Sequence, residues 1–63
     1  MIRIRVGRVR VLRALAEIRR IEPHARIEGD SIIIDDLGAE QRMNFRLRLA
    51  AAGLTEWASY LDP

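Results

Sequence analysis

The chain has no cysteine and no lysine, two serines, and only three aromatic residues, Phe45, Trp57 and Tyr60. Without cysteine, disulfides and thiolate metal sites are excluded. Without lysine, all eleven basic residues are arginine, so the positive charge is carried by planar forks that match carboxylates and phosphates. The aromatics are too few to form a row of base-stacking platforms. Ser31 and Ser59 lie outside any nucleophile motif, and the four glycines form no phosphate-cradling loop. The longest apolar run, Leu49 to Ala52 continued by Gly53 and Leu54, is far short of the ~20 residues that span a bilayer. The N-terminus enters Ile2-Arg3-Ile4-Arg5-Val6 directly, with no apolar leader segment, and does not read as a signal peptide. The expectation is a cytoplasmic protein with no membrane contact.

At 63 residues the chain is long enough for one compact domain and no more. A domain this small buries only about 60% of the surface its unfolded form exposes. With 49% hydrophobic residues it is too apolar to be disordered. A second copy or a partner protein is therefore expected to complete the core. A pocket of ~300 Å³ is rare at this size, so the expectation is a non-enzymatic protein without a cofactor.

The net charge of +2 hides an asymmetry. Residues 1–26 hold eight arginines against Glu17 and Glu22, a net of +6, whereas residues 27–63 hold three arginines against seven acids, a net of −4. A basic and an acidic face are implied, suited either to nucleic acid or to a second copy.

Ile2, Ile4 and Val6 alternate with Arg3 and Arg5, the period of a half-buried strand. Gly7 either bulges this strand or ends it. Val11, Leu12, Leu15, Ile18 and Ile21 then recur at helical spacing, predicting a helix from about Arg8 to Ile21, stopped by Pro23. Gly29-Asp30 between two β-favouring stretches predicts a hairpin. Its second strand, with Ile32, Ile33 and Ile34 in succession, should sit centrally or be covered on both faces.

Residues 39–52 admit two readings. Composition favours a helix, with Asp36 as N-cap and Gly53 as the left-handed terminator. The alternation of Met43, Phe45, Leu47 and Leu49 with Arg42, Asn44, Arg46 and Arg48 favours a fourth antiparallel strand over residues 41–49, preceded by a turn at residues 36–39. Thr55 then caps a short helix running to Leu61, with Trp57 in the core. The fold class expected is α+β, β-α-β-β-α with a short C-terminal helix. This order resembles a ferredoxin-like fold lacking its last strand. That resemblance implies that the first strand lies at an open sheet edge, free to pair with a second copy.

Four constellations follow. If residues 39–52 are helical, Met43, Leu47, Ala50 and Leu54 form one apolar stripe and Phe45, Leu49 and Ala52 another. Two stripes on a small domain imply a spare face for a partner. Phe45 and Leu49, rimmed by Arg42, Arg46 and Arg48, are the candidate partner-binding residues of a protein–protein module, such as a small inhibitor, antitoxin-like or assembly factor. The alternative is a nucleic-acid-associated module using Arg3, Arg5, Arg8, Arg10, Arg13, Arg19 and Arg20. The Leu47-to-Ala58 phrase resembles the turn of a helix-turn-helix, but the acidic Glu56 and Asp62 oppose a recognition helix. Glu22, Glu28, Asp30, Asp35 and Asp36 with His24 match no calcium-loop spacing and read as turn and cap residues.

Overall fold

A computed structural model describes residues 1–35 and 39–61. The elements are β1 (Ile2–Arg5), α1 (Val11–Ile18), β2 (Arg26–Glu28), β3 (Ser31–Ile34), α2 (Ala39–Ala51) and α3 (Thr55–Ala58). The class is α+β in the expected element order. The turn residues 36–38, with the proposed Asp36 cap, and Asp62 lie outside the described residues.

The sheet runs β1-β3-β2, antiparallel throughout. β3 is therefore central, as its three successive isoleucines require, and all four of its residues are buried. The β2–β3 hairpin turns through Gly29 and Asp30. Gly29 has φ +65° and Asp30 does not have a positive φ, the combination of a II′ turn whose twist matches the strands. Ile2, Ile4, Ile32 and Ile34 face the helices and join Val11, Ala14, Ile18, Phe45, Leu49, Leu54, Trp57 and Leu61 in one core. Ile33 points to the opposite, helix-free face, yet it is 0% exposed. Its direct neighbours on the two flanking strands are Arg3 and Arg26, whose aliphatic stems are the material available to cover it.

α1 is shorter than expected at both ends. Gly7, at φ +85°, ends β1, and a turn over residues 8–10 precedes the first helical residue. A second turn takes up residues 19–21. Leu12, placed by its spacing on the core stripe, is exposed. Residues 41–49 are helical, so the fourth-strand alternative is overturned. Helix-forming residue types outweigh the period-2 pattern here, and the end is fixed by a Schellman motif. Leu54 N–H donates to the Leu49 carbonyl at 2.8 Å and Gly53 N–H to that of Ala50 at 3.1 Å. Gly53 supplies the required positive φ of 76°. α3 ends at Ala58 rather than Leu61, and Thr55 is its first residue, not its cap; Leu54 is the cap and makes no side-chain bond.

Because α3 is so short, the chain turns back along β1. Arg5 N–H donates to the Tyr60 carbonyl at 3.1 Å, and Leu61 bridges Ile4 in antiparallel sense. The outer edge of β1, expected to stand open to a second copy, is thus occupied by the chain's own residues. Among the described residues, the free sheet edge is that of β2.

Candidate functional site

On α2 the two apolar stripes exist, but the structure reverses which is free. Phe45 is 3% and Leu49 0% exposed, both packed in the core, so neither can present a docking surface on the folded monomer. The tight turn at Gly53 directs Leu54 and Trp57 back onto the side of α2 that carries Phe45, Leu49 and Ala52. The sheet and α3 together close over that stripe. Met43 and Leu47, one helical turn apart on the opposite side, are 68% and 62% exposed. Ala50 continues the same outer stripe and is also exposed.

The three rim arginines have different fates. Arg46 is exposed beside the Met43–Leu47 stripe, without an ion pair among the described residues. Arg42 is half-buried, and its Nη1 is enclosed with no hydrogen-bond partner among the described residues. Arg48 bonds the Ile21 carbonyl and meets Glu22 at 3.4 Å, tying α2 to the turn after α1.

The seven N-terminal arginines are divided between surfaces rather than gathered into one. Arg3 and Arg5 lie on the helix-free face of the sheet, where Arg3 reaches Glu28 at 3.7 Å. Arg10 meets Glu56 at 3.4 Å, donates to the Tyr60 hydroxyl and lies 6.0 Å from that ring's centroid. Arg13 pairs with Glu17 and Glu56 at 3.6 and 3.5 Å and stacks 5.7 Å from the Trp57 centroid. Arg19 Nε donates to the Ala25 carbonyl at 3.0 Å. Arg8 and Arg20 are exposed, without an ion pair among the described residues.

Most of these pairs join the two halves of the chain. Arg3–Glu28, Arg10–Glu56, Arg13–Glu56 and Arg26–Asp35 match a basic first-half residue with an acidic second-half one, and Arg48–Glu22 does the reverse. The asymmetry of the sequence is thus largely spent on internal complementarity. Its +6 and −4 balance was the signal available for this, though it equally suited an external partner. Arg26–Asp35 is the shortest, at 2.9 Å. Its hydrogen bond, and secondarily its charge, holds the Asp35 carboxyl below the usual carboxylate range and raises Arg26. Glu17 also accepts a hydrogen bond from Trp57 Nε1, so the buried indole is satisfied by the side chain that pairs with Arg13.

Comparison of this chain with protein-family models, curated proteins and solved structures finds no match. Among the described residues no helix is long and apolar enough to cross a membrane.

Proposed function

We propose that the protein is a non-enzymatic protein–protein interaction module of the cytoplasm that docks through the outer face of α2. One observation carries this reading: Met43 and Leu47 stand exposed on the side of the helix facing away from the core. Large side chains repeated one turn apart are the anchors by which helices recognise one another. Arg46 at the rim suits a partner helix with an apolar stripe and an acidic flank. The Arg48 interactions hold α2 in place rather than contributing to the docking face. Phe45 and Leu49 support that face from beneath.

The test compares tagged wild-type protein with Met43→Glu, Leu47→Glu and Val9→Glu in the native host. Val9 is exposed but lies outside α2, and so serves as the control. All three variants should fold as the parent does. The α2 variants should lose one protein partner that the Val9 variant retains, and nuclease digestion should leave that partner bound. A partner profile identical in all four proteins refutes the proposal. Association that disappears with nuclease, and weakens log-linearly with salt, would instead favour the arginine-based nucleic-acid alternative.

A further inference from the structure

We propose that β2 is a self-pairing edge, joining two copies of the chain through their Arg26–Glu28 strands into one continuous sheet. The proposal is independent of the α2 face. It starts from the hydrogen-bonding phase of the sheet. Val6 N–H donates to the Asp30 carbonyl, one step beyond the Arg5–Ser31 pair. In an antiparallel ladder such bonding alternates, so Ile32 and Ile34 also turn their N–H and C=O groups toward β1. Ser31 and Ile33 therefore turn theirs toward β2, where they are paired with Glu28 and Arg26. The N–H and C=O of Ile27 are left pointing outward at the sheet edge.

The side chains of β2 are arranged to accept a copy of themselves. With two strands antiparallel about a two-fold axis at Ile27, Ile27 faces Ile27 and exchanges both backbone bonds. Arg26 then stands directly opposite the second copy's Glu28, and Glu28 opposite its Arg26. Both charged residues lie on the helix-free face, so two opposite-charge cross-strand pairs form there together. Each extends an existing ion pair, giving the alternating row Arg3, Glu28, the second copy's Arg26 and its Asp35. On the helix side, Ile27 is 37% exposed although its β3 partner Ile32 is fully buried. A second Ile27 would complete its cover. Slipping the register by two residues in either direction removes both Arg26–Glu28 pairs and sets Arg26 or Glu28 opposite its own copy, and a parallel arrangement sets like charges side by side. A three-residue strand buries well under the ~1,200 Å² of a stable complex, so the association is weak and concentration-dependent.

The experiment is sedimentation equilibrium of the full chain from about 10 µM to 1 mM, the range in which a small interface associates. The parent is compared with Arg26→Glu, Glu28→Arg, the double variant and Leu47→Glu, each checked for folding by circular dichroism. Each single reversal places like charges opposite each other at two symmetric positions and should weaken association about tenfold or more. The double variant should restore it. Amide hydrogen exchange of the parent adds a readout free of substitution, in which Ile27 N–H should become slower as concentration rises. A parent that remains monomeric at the highest concentration, or single reversals that leave association unchanged, overturns the proposal. Association lost in Leu47→Glu but kept in both edge variants also overturns it, assigning the contact to α2 and leaving the α2 reading intact.

Discussion

Replacing Phe45 with alanine tests whether its stripe belongs to the monomer core. Phe45 is 3% exposed and lies one turn from Leu49, itself fully buried. Truncating a buried phenylalanine costs about 3–5 kcal/mol, because the lost transfer energy is compounded by a cavity that neighbours cannot fill. At about 0.05–0.15 kcal/mol per residue, a chain of 63 residues has about 3–9 kcal/mol in total. The substitution therefore removes a third or more of the stability and can remove all of it. The assay is urea unfolding at protein concentrations spanning two decades, followed by the fluorescence of Trp57, the single and fully buried tryptophan. Phe45→Ala should unfold at much lower urea, or be unfolded without it, by an amount independent of concentration. The exposed Met43 and Leu47, changed to alanine, should shift stability by less than about 0.5 kcal/mol. A Phe45→Ala variant as stable as the parent, or destabilised only on dilution, would show that Phe45 is buried by association and refute the core assignment.

Two further outcomes follow from local geometry. Gly53→Ala should destabilise by about 1–2 kcal/mol, because a left-handed residue with a Cβ is strained even where nothing obstructs that Cβ; an unchanged urea midpoint would contradict the Schellman ending. For Asp35, a folded-state pKa below its ordinary 3.8 means that the Arg26 pair stabilises the fold above that value and is lost as pH falls through the lowered one. Carboxyl NMR titration should give a depressed midpoint that returns upward in Arg26→Gln, and a midpoint indifferent to that change would dissolve the pairing. Arg26 stays protonated across this window and adds no pH dependence of its own.

What the sequence made legible was mostly local. The alternation of Ile2 to Val6, the Gly29-Asp30 turn and the Ile32–Ile34 run mark β1 and the β2–β3 hairpin, because turn chemistry and burial of β3 act over a few residues. Gly53 marks the end of α2 for the same reason. The sequence was ambiguous where the answer depended on distant segments. Met43–Leu47 and Phe45–Leu49 are equivalent as apolar spacings, and only the packing of the sheet and the return of Leu54 and Trp57 make one of them core. Likewise, β1 alone contains no sign that Tyr60 and Leu61 will close its edge. The arginines looked available because their acidic partners lie up to 46 residues away.

The central position of β3 also bears on the order in which the sheet can assemble. Its pairing with β2 closes a loop of two residues, whereas its pairing with β1 begins across the 25 residues between Arg5 and Ser31. Loop-closure entropy rises by about 0.6 kcal/mol per doubling, so the β1 pairing carries an extra cost of about 2 kcal/mol. That cost is recovered only when α1, which lies within the loop, packs on the sheet. The hairpin is thus the entropically cheapest first contact, and β1 docks onto a template whose two outer edges both stand open. Until it does, the isoleucine-rich strand is the segment most exposed to pairing with the wrong neighbour.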